Sequence, residues 1–307
     1  MARVYPQAWF GDGLAAVEQA TLSITSAAVL YGLSVYTVLP VTVSGDGTPL
    51  GFRLADHYRR LVNSERIIGI DTWEPAWSEE RFEAALREVV AANQITEDVF
   101  VRVSVHVDAE LPGTRSRGIS TRLSMFVYEA EPILPLDGAR LKTSVWRRIP
   151  DYSIPSRAKV NGAYVNSVLA KQDAIDSGYD DCIFLDAAGH VCELSAANIF
   201  IVRGGELITP STAQDLLEGI NRSTVLSLAE SMGVPARERE VDLTELYIAD
   251  EVFACGTSTY IAPVIEVDAR VVNGAAVGPL TAQLRERYLA VLRGEDDEFS
   301  RFVTPLG

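Results

Sequence analysis

The run Glu193-Leu194-Ser195-Ala196-Ala197-Asn198-Ile199-Phe200 sets a carboxylate, a small hydroxyl and an amide beside an apolar segment that reads as a buried strand. Burying a carboxylate without a partner costs roughly several kcal/mol, so Glu193 requires a cation or a proton-sharing neighbour. A protonated ring nitrogen would serve. Lys159, within Ser156-Arg157-Ala158-Lys159-Val160-Asn161-Gly162, is the candidate nucleophile. An amine that attacks a carbonyl must be neutral, and burial or nearby positive charge brings it to that state. Taken alone, Lys159 reads first as a solvated lysine near a helix start, where most lysines sit. Gly219-Ile220-Asn221 opens a helix whose first amides can receive an anion. Gly256-Thr257-Ser258 offers a second turn with converging amides and hydroxyls.

The elements that must hold these residues follow from periodicity. A helix is expected around Asp56 to Asn63, and another from a Ser78 cap to about Asn93, with Phe82, Ala85, Leu86, Val89 and Val90 on one face. Val99, Val101, Val103, Val105 and Val107 alternate with Phe100, Arg102, Ser104 and His106. The valine face is core; the other carries a cation and an imidazole. The run Glu129 to Gly138, rich in proline and acid, fits an interdomain connection. Beyond it come a helix from about Gly162 to Ser177 and short strands at Asp181–Asp186, Val191–Glu193, Ile199–Arg203 and Leu207–Thr209. A helix over Ile220–Met232, two strands flanking Gly256–Thr259 and a last helix after Pro279 complete a mixed α/β chain in two parts.

The 307 residues are 48% hydrophobic and 22% charged, ordinary for a soluble protein large enough for two domains. A net charge of −15 disfavours nucleic acid and anionic membranes as partners. No apolar run is long enough to span a bilayer, and the start lacks a signal-peptide layout. Three cysteines without a CxxC, and three scattered histidines without HExxH, point away from disulfides and metal and toward a cytoplasmic setting.

Glu193, Ser195, Asn198, Ile199 and Phe200 resemble the opening of the signature of class IV pyridoxal-phosphate aminotransferases, the family of branched-chain and D-amino-acid aminotransferases and aminodeoxychorismate lyase. The signature continues through Leu207-Ile208-Thr209 and closes at Leu217-Glu218-Gly219-Ile220-Asn221-Arg222, with every required position filled. The resemblance runs from about Tyr31 to the C-terminal helix.

It implies a fold-type IV architecture: a small α/β domain over 1–128, a connecting loop over 129–137, and a larger pseudo-barrel domain over 138–307, with pyridoxal 5'-phosphate between them. Lys159 would form the Schiff base and then shuttle the substrate α-proton. Tyr164 would bond the ring hydroxyl, although it also reads as a helix-packing tyrosine. Glu193 would hold the pyridine nitrogen, with Ser195 and Asn198 beside it. Gly219, Ile220, Asn221, Gly256 and Thr257 would receive the phosphate. Arg60 aligns with the family's phosphate arginine, while register alone leaves open whether Arg59 or Arg60 faces inward. Tyr31, Tyr36, Arg102, Thr257 and Ser258 would meet the substrate, Tyr31 across a homodimer interface.

The family's EGxR run is absent: Tyr31-Gly32 is followed by Leu33-Ser34-Val35-Tyr36-Thr37-Val38-Leu39-Pro40. The family's Tyr-Ile-Arg-Pro strand is here Phe100-Val101-Arg102-Val103, which keeps only the arginine. Arg102 therefore reads either as a carboxylate holder or as an exposed strand arginine. Arg115, Arg117 and Arg122 fall near the family's closing loop and suggest either a lid for an anionic substrate or a solvated loop. The expected activity is transfer of an amino group from an amino acid to a 2-oxo acid such as 2-oxoglutarate. L-branched-chain donors come first, on the apolar character of Val38 and Leu39 and the wider similarity. The alternatives are a D-amino-acid or R-amine transaminase, a lyase of the aminodeoxychorismate type, and a binding protein that has lost the cofactor.

Overall fold

The computed structural model describes residues 2–307. They form two compact units. One holds the chain up to Glu131 with Ala158–Ala163 and Ala290–Gly307; the other holds Pro132–Arg157 and Tyr164–Leu289. The change at Pro132 lies inside the connection expected at 129–137. Two segments nevertheless depart from the expected division, because the stretch around Lys159 and the C-terminal residues group with the first unit. Their hydrogen bonds explain this: Lys159 O accepts from Tyr36 N at 3.0 Å, and Phe302 O accepts from Arg53 N at 2.6 Å.

The first unit contains β1 (Val4–Phe10), β2 (Gly13–Ala16), α1 (Ala27–Tyr31), β3 (Ser34–Val43), β4 (Pro49–Phe52), α2 (Leu54–Ile68), α3 (Glu79–Ala92), β5 (Val99–Val107) and β6 (Thr121–Glu129). With the C-terminal strand Val303–Pro305 they make one antiparallel sheet, ordered C-terminal strand-β4-β3-β5-β6-β1-β2. The alternating valines of β5 are fully buried, and Val99, Val101, Val103 and Val105 cluster with Leu61 of α2 and Leu86 of α3. Ser78 Oγ caps α3 by accepting from Arg81 N at 3.2 Å. Helix α2 extends past the expected Asn63 to Ile68. Asn63 and Ser64 are poor helix formers, but burial of Val62, Ser64 and Glu65 carries the helix on until Gly69, whose φ of 76° ends it. The N-terminal hairpin, unassigned in the sequence, closes this core: Trp9 packs edge-on to Trp77, which stacks on Trp73.

The second unit contains β7 (Ala139–Thr143), α4 (Tyr164–Asp176), β8 (Asp181–Leu185), β9 (Val191–Leu194), β10 (Asn198–Arg203), β11 (Glu206–Pro210), α5 (Ile220–Ser231), β12 (Ala236–Arg239), α6 (Leu243–Tyr247), β13 (Glu251–Gly256), β14 (Tyr260–Val267), β15 (Arg270–Val271) and α7 (Pro279–Leu292), the last of which ends within the first unit's residues. The strand order is β12-β11-β10-β13-β14-β7-β8-β9, with β15 on β14. The edge strand β9 passes directly into β10 near the other edge, and Leu194 N donates to Ala197 O at 2.8 Å. So short a connection between distant places in the order forces the sheet to curl toward a barrel. Its interior is aliphatic, with Leu141, Ile183, Ile199, Ile201, Ala254 and Val264 all buried.

Candidate active site

In the first unit the chemistry gathers where the Lys159 segment docks on β3. Val160 bridges to Val35, and Lys159 N donates to Ser64 Oγ of α2 at 3.1 Å. Gly162 N donates to Gly32 O at 3.2 Å. Gly32 has φ 64°, and a Cβ there would lie 2.8 Å from Gly162 Cα, so both the conformation and the close approach require glycine. Lys159 Nζ lies 4.8 Å from the centroid of the Tyr36 ring, and Arg102 Cζ lies 3.7 Å from it. Arg102 also donates to Asn161 Oδ1 at 3.2 Å. Tyr36 is buried, so two cations share one aromatic platform in a largely dry setting.

The period of β3 sorts its side chains. Tyr36 and Val38 lie on the face of Arg102, whereas Thr37 and Leu39 lie on the helix face. Leu39 is fully buried among Leu54, Leu61 and Val101, so it cannot line a substrate pocket as the sequence suggested. Val38 can. Arg60 turns inward and donates to Thr37 Oγ1 at 2.7 Å; Arg59 is 67% exposed and pairs with Asp56. Tyr31 is exposed on α1. The three loop arginines do not converge. Arg115 donates to Pro112 O, Arg122 pairs with Asp108, and Arg117 is exposed.

In the second unit Glu193 is buried on β9 and surrounded by donors. Arg148 Nη2 lies 2.9 Å from its Oε1, while Asn198 Nδ2 and Leu217 N donate to its Oε2 at 3.3 and 3.2 Å. Arg148 escaped the sequence reading. The demand for a cation at Glu193 was visible there, and the pair Arg147-Arg148 was its signal. The Ser195 hydroxyl donates to buried Asp181 at 2.9 Å, and Lys171 lies 3.4 Å from the same carboxylate. Arg222, which closes the signature, is buried on Pro210 O and Glu238 and ties α5 to β11.

Helix α5 begins after Gly219, an N-cap with no side chain to occupy the first-turn amides. A Cβ on Gly219 would lie 2.1 Å from Asn198 Oδ1, and one on Gly256 would lie 3.3 Å from Ala196 O. Both glycines are packed closely by their own neighbours, and at Gly219 a side chain would displace Asn198. Asn221 joins the two turns: Tyr288 donates to its Oδ1 at 2.9 Å, and its Nδ2 donates to Thr257 Oγ1 at 3.3 Å. Ser258 contributes its carbonyl to Ile133 N. Tyr164 is half-buried as the first residue of α4. Among the described residues no cluster of side chains has metal-ligand character, and no helix is long and apolar enough to cross a membrane.

The family model for amino-transferase class IV matches residues 34–267. The chain belongs to the class IV aminotransferases. It is 36% identical to a probable branched-chain-amino-acid aminotransferase of Aquifex aeolicus, over 97% of this chain and 96% of that one. The branched-chain aminotransferase of Thermoproteus uzoniensis, solved with norvaline, superposes with a TM-score of 0.94 at 34% identity, covering 99% of this chain and 100% of the other. The branched-chain amino acid aminotransferase of Thermobaculum terrenum, solved in its PLP form, gives 0.91 at 31% identity over 99% of each chain. The fold is therefore fold-type IV, and the protein is an aminotransferase.

Proposed function

We propose that this enzyme uses pyridoxal 5'-phosphate to take the amine from L-branched-chain amino acids and pass it to a 2-oxo acid such as 2-oxoglutarate, in two half-reactions. The observation that carries this reading is Glu193, a buried carboxylate held by Arg148, Asn198 and the Leu217 amide. A carboxylate fixed in this way keeps a facing pyridine nitrogen protonated. Bound there, the cofactor supplies an electron sink for the substrate α-carbanion.

The donors assigned here fit this group. The first turn of α5, whose N-cap Gly219 makes no side-chain hydrogen bond, suits a phosphate approached by backbone amides, with Gly256 and Thr257 assigned beside it. Arg60 adds charge, and Tyr164 is assigned to the ring hydroxyl. Lys159 would hold the cofactor and would carry the proton to and from the substrate α-carbon. Arg102, beside Lys159 on the Tyr36 ring, is assigned to a substrate carboxylate, and Val38 to an apolar side chain. Thr257 and Ser258 complete the substrate contacts. Ser195 and Asn198 are assigned beside the cofactor, with the Ser195 hydroxyl tied to Asp181.

The assembly proposed is a homodimer in the cytoplasm. Exposed Val29, Leu30 and Tyr31 in the first unit, and Val165, Val168 and Leu169 in the second, are apolar groups that a second copy would cover. Three buried free thiols suit a reducing compartment. The relatives' names favour this reading over D-amino-acid, amine or lyase chemistry.

The test is the visible spectrum of the reconstituted protein. Its colour should bleach with L-leucine, persist with D-leucine, and return with 2-oxoglutarate. Lys159→Ala should lose at least about 10³-fold in turnover. Bleaching by D-leucine alone, or pyruvate release from aminodeoxychorismate without an acceptor, would overturn the assignment.

A further inference from the structure

His57 and Thr37 belong to neither the cofactor set nor the substrate set. His57 lies on α2, one helical turn before Arg60, and is 1% exposed; Thr37 on β3 is fully buried. Thr37 Oγ1 lies 2.6 Å from His57 Nδ1 and accepts from Arg60 Nη2 at 2.7 Å. A guanidinium can only donate, so the threonine oxygen accepts there, and the same hydroxyl bonds the imidazole in the direction that the histidine tautomer sets. His57 Nε2 is buried with no hydrogen-bond partner, so Thr37 is the hydrogen-bond partner of this ring. Burial, and then the positive charges of Arg60, Arg53 and Lys159, push the proton affinity of His57 well down. The imidazole stays neutral beside Thr37. A core histidine needed only for packing would not require a cation tethered to it through a hydroxyl.

We propose that His57 and Thr37 are positioning residues which together hold the Arg60 guanidinium in the one orientation that binds the cofactor's phosphate. This rests on the assignment of Arg60 to that phosphate. In this chain a threonine and a histidine, neither of them charged, aim the arginine without neutralising it. A carboxylate at the same place would compete with the phosphate for the guanidinium.

The experiment measures equilibrium binding of pyridoxal 5'-phosphate and of pyridoxal to the full-length apoprotein by fluorescence. It compares the parent with Arg60→Ala, Thr37→Val, Thr37→Ser and His57→Leu, each checked for folding by circular dichroism. Thr37→Val and His57→Leu should each weaken binding of the phosphorylated cofactor about tenfold and leave pyridoxal unchanged. Thr37→Ser, which keeps the hydroxyl, should bind like the parent. A general packing defect would weaken both ligands alike and overturn the positioning role. If Arg60→Ala selectively weakens the phosphorylated cofactor while Thr37→Val and His57→Leu do not, the relay is overturned and the role of Arg60 stands. If Arg60→Ala leaves that binding unchanged, the phosphate assignment fails, and the relay with it.

Discussion

Glu193 and Glu65 are both buried, one in each unit, and their surroundings are opposite. Glu193 has Arg148 against one oxygen and two amide donors against the other. Glu65, on α2 and fully buried, has no hydrogen bond of normal geometry to either oxygen. Burial first, and the nearby Glu74 carboxylate second, push its pKa up to about 9, which the Glu74 backbone N–H offsets only in part. One site therefore stores a charge, and the other stores a proton. A buried negative charge is useful to a cofactor only if the fold supplies its donors in advance; where donors are missing, the group neutralises itself and becomes a packing element.

The comparison can be broken most severely by making Glu193 resemble Glu65. Arg148→Leu would leave the Glu193 carboxylate without its cation, and the cost in unfolding free energy should be about 3–5 kcal/mol. Adding Glu193→Gln should recover much of that stability, because the stranded charge is gone, while turnover stays lost. Urea unfolding of the parent, both single variants and the double variant gives the coupling energy. A near-zero coupling would mean that the 2.9 Å contact is incidental to Glu193.

How far each site was legible follows the same division. That Glu193 needed a cation was written in its burial. Which cation required the fold, because Arg148 is 45 residues away, beyond β8. The valine alternation of β5 and the Ser78 cap fixed a strand and a helix because period and capping are local. Helix α6 was missed although Asp242 and Glu245 form a capping box with the local Asp-x-x-Glu spacing. The Lys159 motif was legible, but its docking on Tyr36 was not, since backbone bonds to β3 leave no trace in residue type. Glu65 was invisible for another reason. On sequence it belongs to a polar helix end, and only tertiary packing turns it inward.

Glu65 also gives the smallest and most specific prediction. Its folded pKa of about 9 exceeds the ordinary value of 4.5, so the folded state binds the extra proton between those limits. The contribution of this group to stability is complete below pH 4.5, and it falls as pH rises toward 9. The limiting slope is about 1.4 kcal/mol per pH unit. Glu65→Gln keeps the shape and removes the titration. Stability curves of parent and variant should therefore diverge as pH rises from about 5 to about 8, the variant gaining about 1–3 kcal/mol at the upper end after partial relaxation. Catalytic parameters should stay within about twofold, since neither oxygen of this carboxyl makes a hydrogen bond of normal geometry. Parallel curves would mean that Glu65 finds a donor in solution. The contrast with Glu193 would then be one of degree, two buried ionised carboxylates with different donors, rather than a charge in one unit and a proton in the other.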